Sequence, residues 1–363
     1  MSVLAAIAVL ALLIVVHELG HFLAARLQGI HVNRFSIGFG PVLLKYQGPE
    51  TEYALRAFPL GGFVGFPDDD PDSKFAENDP DLLRNRPVLD RVIVVSAGVI
   101  ANLIFAYFVL ALQVGGAGVP EGFNYQPGVV VPQVVSPDSP AAQAGLKSGD
   151  IVMSIDGERL AAEEGAVLKL KETIEAHANQ PLELGIDRNG TTSEIAITPE
   201  GDAEGKGRIG VQLSPNGTPI YRRPSSIVEI FSIASERFQA IFVGTVNGFY
   251  QLITNFGNTA SQLAGPVKIV EQGAKIAESD ALNLLMFAAI ISINLAIINT
   301  LPLPALDGGQ LVFLIVEGLR GKPIPARIQD GVMQSGLLLL LGLGMFLIVR
   351  DTANLEWIQQ LNR

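Results

Sequence analysis

The chain has 363 residues, 48% hydrophobic and 17% charged, with a formal net charge of −11 and a mean hydropathy of +0.37. Soluble domains carry about 25% charged residues, so this balance points to a membrane protein with a polar insert. The acidic charge argues against nucleic acid as a partner, which requires a basic surface to displace counterions. With no cysteine in the chain, disulfides, thiolate metal sites and thiol nucleophiles are excluded.

Residues 3–25 form the first apolar stretch, interrupted only by His17, Glu18 and His21. No basic side chain precedes it and no small-residue cleavage site ends it, so it reads as a retained span. A polar segment, 26–91, follows. Within it "TEYALRAFPLGGFVGF" (51–66) alternates around Pro-Leu-Gly-Gly, which predicts a β-hairpin. The acidic, proline-rich run after it predicts an exposed loop. Residues 92–112 give a second stretch without a charge. Residues 118–217 then change to short β-branched runs punctuated by Pro, Gly and Asp. Here "SPAAQAGLKSGDIVMSIDG" (139–157) resembles a PDZ domain, with a helix expected at 163–178 and strands at 182–186 and 193–198. Residues 224–256 have near-helical apolar spacing but carry Glu229, Glu236 and Arg237, which predicts an amphipathic helix at the interface or against the spans. Residues 281–301 and 331–349 complete four stretches of the roughly 20 residues that a spanning helix needs.

The expected fold is therefore a polytopic α-helical membrane protein with four transmembrane helices. A β-hairpin lies on its cytoplasmic side and a PDZ-like α+β domain is inserted on the other. The expected divisions are a first membrane half at 1–115, the PDZ-like domain at 116–218, an amphipathic helix and linker at 219–280, and a second membrane half at 281–363. Basic residues flank the spans at Arg26, Arg34, Lys45, Arg84, Arg86 and Arg91, and again at Arg320, Lys322 and Arg327. They assign 26–91 and 317–330 to the cytoplasmic side, and the N-terminus, the PDZ-like domain and the tail after 350 to the outside.

His17-Glu18-Leu19-Gly20-His21 fits H-E-x-x-H. On a helix, positions i and i+4 share a face, so both imidazoles reach one zinc, and the adjacent glutamate can deprotonate a zinc-bound water. Counted from Ser2, His17 lies about 22 Å along the helix at ~1.5 Å per residue, inside a hydrocarbon core about 30 Å thick. Ionisable groups at that depth default to function.

A catalytic zinc commonly has three protein ligands. His31 reads as a solvated loop residue and His177 falls in the domain expected outside. A carboxylate is needed, and "INTLPLPALDGGQ" (298–310) supplies Asp307. Pro302 and Pro304 break the helix there, and irregular backbone at membrane depth implies a buried or cavity-lining position. The first and third spans run in the same direction, so His17, His21 and Asp307 can converge. The antiparallel second span carries Gly98 and Asn102 at a comparable depth, a small-residue face that permits close approach and offers an amide. A membrane scaffold and a zinc transporter compete as readings. The first leaves Glu18 and Asp307 unexplained, and the second lacks ligands along the second and fourth spans.

"HELGH", the segment 98–102, "LAGPVKI" (263–269) and "NTLPLPALDGG" (299–309) together resemble the site-2 protease family of intramembrane zinc metalloproteases. The resemblance is to the bacterial regulator-of-sigma-E type and spans nearly the whole chain. Two features depart from it. Val99 stands where the family often has proline, and one PDZ-like domain is present where well-known members have two. The resemblance implies zinc on His17, His21 and Asp307 and general-base catalysis by Glu18. It also implies substrate positioning by Asn299, with Asn102 and Gly98 in support. The implied substrates are single-span membrane proteins, for example anti-sigma-factor-like ones, cut as the second step of regulated intramembrane proteolysis. The implied location is a bacterial cytoplasmic (inner) membrane.

Overall fold

The computed structural model describes residues 2–70, 73–136, 138–202, 205–256, 263–279 and 281–353. They fall into two compact units, Met1–Ala117 with Pro224–Arg363, and Gly118–Arg223.

In the first unit, α1 (Ser2–Leu27) carries the H-E-x-x-H segment. It stops where Gly29 adopts φ +74° and the Ile30 N–H returns to the Ala25 carbonyl at 2.9 Å, a left-handed helix end suited to glycine. Two long strands follow, β1 (Arg34–Gln47) and β2 (Glu52–Gly65). Both bend. β1 turns at Gly38 and Gly40 (φ +86° and +84°) and β2 at Gly61 (φ +130°), conformations closed to most side chains. Residues 34–37 therefore pair on one side with 52–55 and on the other with 62–65, while 44–47 pair with 52–55. Residues 51–66 thus reverse direction around Pro-Leu-Gly-Gly, but the two arms do not pair with each other as a simple hairpin would, because 34–37 lies between them. Their partner is 34–47, and the connection is the tight turn closed by Gly48 N–H to the Thr51 carbonyl at 2.9 Å. Gly38, Gly40 and Pro41 hide that partner strand from a pattern of strict alternation. The 62–65 edge runs past α1: a Cβ added at Gly62 would sit 2.9 Å from Glu18 Cγ and 3.5 Å from Ile14 Cγ2.

The second apolar helix, α2 (Val88–Ala117), follows Pro87, with Asp90 in its first turn. An N-terminal anion suits the positive end of the helix. Gly20 of α1 packs onto α2 so closely that an added Cβ would lie 2.8 Å from Ala101 Cβ.

The second unit holds β3 (Val119–Val134), α3 (Pro140–Gln143), β4 (Ile151–Ile155), β5 (Glu158–Arg159), α4 (Ala166–Ala176), β6 (Leu182–Arg188), β7 (Thr191–Ile197), β8 (Glu200–Gly201), β9 (Gly207–Arg208) and β10 (Val211–Arg222). The main sheet runs β10-β3-β4-β6-β7, with β5 on β4; β8 and β9 form a separate pair. Alternate residues of β3, β4 and β6 and one face of α4 bury Val129, Val131, Val152, Leu170, Leu184 and Ile186. Fully burying such a side chain stabilises by about 1.5–3 kcal/mol. Asp150, at the start of β4, is buried. Its carboxylate accepts from Arg188 Nε and Nη2, each at 2.7 Å, and from the Lys147 N–H at 2.7 Å. Burial raises the Asp150 pKa, but the Arg188 and Lys147 hydrogen bonds outweigh it, so the carboxyl titrates below its ordinary range.

The chain returns to the first unit in α5 (Ile227–Thr254), opened by Ser226, whose hydroxyl accepts from the Glu229 N–H at 3.1 Å. This amphipathic helix packs against the spans. Ala234 is buried with Ala106, Leu110 and Ala289, and Arg237 donates to Gln113 Oε1. Where a linker was expected, residues 266–279 form α6 (Pro266–Ser279), with Pro at its start. The Lys268 N–H at that start donates to buried Asp351 at 3.2 Å. Then come α7 (Ala281–Thr300), α8 (Asp307–Arg320) and α9 (Ala326–Ala353). Among the described residues, α1, α2, α7 and α9 are long and apolar enough to cross a membrane. The leucines of α9 at 338, 339 and 341 are exposed, which suits lipid rather than water as their solvent. Residues 354–363, the tail expected outside, lie beyond the described residues.

Candidate metal centre

The site is built by α1, α2, the end of α7 and the start of α8. Two turns of α1 present His17 and His21. Their rings meet edge to face, with centroids 4.7 Å apart and Nε2 atoms 3.2 Å apart. Asp307 arrives from the other end of the sequence. After α7 ends, Pro302 and Pro304 keep 301–306 out of helical form, Ala305 takes φ +69°, and α8 begins with Asp307 in its first turn. The turn is tight: a Cβ at Gly308 would meet the Thr300 and Leu301 carbonyls, and one at Gly309 would meet the Leu303 carbonyl. Asp307 Oδ2 comes to rest 3.2 Å from His17 Nε2 and 3.4 Å from His21 Nε2.

These distances test whether the trio fits zinc. Ligands held at about 2.0–2.2 Å in a tetrahedral shell lie roughly 3.3–3.6 Å from one another. The three edges here are 3.2, 3.2 and 3.4 Å. Asp307 Oδ2 is buried and makes no hydrogen bond despite its two close imidazoles, as expected of a lone pair directed at a cation. His21 Nδ1 is 2.8 Å from the Val94 carbonyl. A carbonyl only accepts, so Nδ1 carries the proton and Nε2 is free to ligate. The residues fit the ion.

Gly98 explains how two rings fit beneath α2. A Cβ there would fall on His21 Nε2 and lie 2.7 Å from His17 Cε1. Gly98 therefore clears space for the ligands. Asn102 is fully buried, and its amide Nδ2 lies 3.3 Å from His17 Nδ1, the ring nitrogen turned away from the cluster. Asn299, near the end of α7, places its amide 3.4 Å from His17 Nε2, on the cluster side. Glu18 lies within electrostatic reach of His17, His21 and Asp307, beside strand 62–65.

His31 and His177 stay apart. His31 stacks on Phe75 at 4.1 Å, and His177 Nδ1 is 2.8 Å from the Thr173 carbonyl in the second unit. His31, Asp79 and Asp81 do form a second potential ligand group. Its carboxylates are already engaged, Asp79 with the Asp81 N–H and Asp81 with Arg86. Two contributors escaped the sequence reading. Val94 supplies only a carbonyl, which no side-chain pattern reveals, although it shares the i, i+4, i+8 stripe of Gly98 and Asn102. Ser292, fully buried in α7, donates to the Asn102 carbonyl at 2.9 Å and ties the two helices behind the site.

The model of the family described as "Peptidase family M50" matches residues 5–343. A Nostoc protein named "Putative zinc metalloprotease all3971" is 60% identical, over 99% of this chain and all of its own length. The chloroplastic membrane metalloprotease ARASP of Arabidopsis thaliana is 49% identical, over 99% of this chain and 80% of its own. The zinc metalloprotease RasP of Geobacillus kaustophilus is 29% identical, over 94% and 95%. Among solved structures, the PDZ domain of the SdrC-like protein from Listeria innocua is 24% identical, covering 24% of this chain and 92% of that one, with a TM-score of 0.21.

Proposed function

Because the chain belongs to peptidase family M50, and is a zinc metalloprotease and a multi-pass membrane protein, we propose that it hydrolyses peptide bonds within transmembrane segments of single-span membrane proteins. The observation that carries this reading is the His17–His21–Asp307 cluster, formed where the spanning helix α1 meets the start of α8.

When bound, zinc supplies Lewis-acid polarisation of the scissile carbonyl and of the attacking water. His17, His21 and Asp307 would hold it. Glu18 takes the proton that water loses as its oxygen adds to the carbonyl carbon, then returns it to the leaving amine as the C–N bond breaks. The Asn299 amide, on the cluster side of His17, donates to the carbonyl oxygen as it gains charge. Helical substrate must unwind to expose its backbone, and lipid offers no partners for the freed groups. Strand 62–65, beside Glu18 and paired with 34–37 along one side, supplies them by adding a strand along its other side.

The remaining assignments follow the same reading. The second unit is a PDZ-like domain on the extracytoplasmic side that turns away substrates with large outside domains. This makes the enzyme the second cut of regulated intramembrane proteolysis. The membrane is the bacterial cytoplasmic membrane, and anti-sigma-factor-like proteins are a fitting substrate class. The test is to reconstitute the protein with a single-span substrate in vesicles and map the product termini by mass spectrometry. Termini inside the span are expected. Cleavage confined to exposed soluble segments would contradict the reading.

A further inference from the structure

We propose that Asn102 is a positioning residue for the metal: its side-chain carbonyl oxygen accepts from His17 Nδ1–H and so fixes the tautomer that leaves His17 Nε2 free to ligate. This inference rests on the zinc-protease reading above. His17 Nε2 stands at the cluster, 3.2 Å from both His21 Nε2 and Asp307 Oδ2. A proton on it would point into the space the ion needs. The ring proton must then sit on Nδ1, which requires an acceptor on the far side of the ring. For His21 the Val94 carbonyl meets that need. For His17 the one group within hydrogen-bonding distance of Nδ1, among the described residues, is the Asn102 carboxamide.

A carboxamide presents a donor or an acceptor of nearly identical shape, depending on a half-turn about its Cβ–Cγ bond. With Nδ2 toward the ring, Nδ1 has to accept and the ring proton moves to Nε2. In that orientation Asn102 Oδ1 is buried without a partner. The half-turn brings Oδ1 to Nδ1–H and releases the Nε2 lone pair. The backbone of Asn102 does not move, because its carbonyl is held by Ser292. With its backbone so held, the amide needs only that half-turn to present its acceptor to Nδ1. Asn102 is fully buried behind the ligand.

The test uses the full chain in detergent. Zinc affinity is measured by chelator competition for the unsubstituted protein, Asn102→Leu and Asn102→Asp, with helix content checked by circular dichroism. Leucine has similar size and no acceptor, whereas aspartate keeps an oxygen facing the ring. The expected result is a loss of about 10–100-fold in affinity for Asn102→Leu, with Asn102→Asp close to the unsubstituted protein. Ring-nitrogen NMR of histidine-labelled, zinc-bound protein should show a hydrogen-bonded His17 Nδ1–H whose signal shifts in Asn102→Ala. If Asn102→Leu does not fold, that comparison decides, and an Nδ1–H signal left unchanged by Asn102→Ala overturns the proposal. So does undiminished affinity in a folded Asn102→Leu. Failure of the unsubstituted protein to bind zinc would instead sink the metalloprotease reading itself.

Discussion

At the residue scale, the H-E-x-x-H pair and Asp307 were legible because ionisable groups stand out against an apolar background. Their supports were legible only in part. Gly98 and Asn102 could be singled out, but not what each does, since a helix face specifies proximity and not which atom meets which. The structure separates them: Gly98 makes room for the rings and Asn102 meets the back of His17. Gly98→Ala tests the first role. Alanine improves intrinsic helix stability by about 1 kcal/mol, so a weakened helix cannot explain a failure to bind metal. The added methyl should still displace the imidazoles and cut bound zinc at least about tenfold, the scale seen when ligand orientation is lost. Metal analysis alongside circular dichroism checks this; full zinc content in Gly98→Ala would contradict the steric role.

At the element scale, the long apolar helices were plain in the sequence and the mixed sheet beside α1 was not. Residues 34–47 carry two glycines and a proline where alternation should run, and the strand exists because those glycines let it bend between partners. The consequence is that 62–65, paired with 34–37 on one side, lies as the outer strand next to Glu18. If substrate adds there, amide hydrogens of residues 62–65 should exchange more slowly when an uncleaved substrate is bound to Glu18→Gln protein. Unchanged exchange would remove the edge from the account. In the second unit, the Asp150–Arg188 pair makes a pH prediction. The folded carboxyl titrates below its unfolded value of about 3.9. Its stabilisation is thus complete above that pH and fades as pH falls toward the folded value. Relative to the intrinsic rate, exchange in β4 and β6 should accelerate as pH falls below about 4, and Asp150→Asn should flatten that dependence. Identical pH profiles for the two proteins would contradict it.

At the scale of the whole molecule, the central claim concerns assembly. Neither end of the chain holds a complete site. The first span brings two imidazoles and a base, and the return through α7 brings the third ligand on a turn that proline and glycine force out of helical form. Sequence direction alone allowed this convergence, since parallel spans end on the same side. It could not give the 3.2–3.4 Å edges, which depend on how closely Gly20 and Gly98 let α1 and α2 approach. The most direct test compares the unsubstituted protein with Glu18→Gln, measuring bound zinc and cleavage of a single-span substrate on the same samples. Removing a general base without touching a ligand should leave zinc content unchanged and slow cleavage by about 10²–10⁴-fold. Equal cleavage by the two proteins would contradict the account.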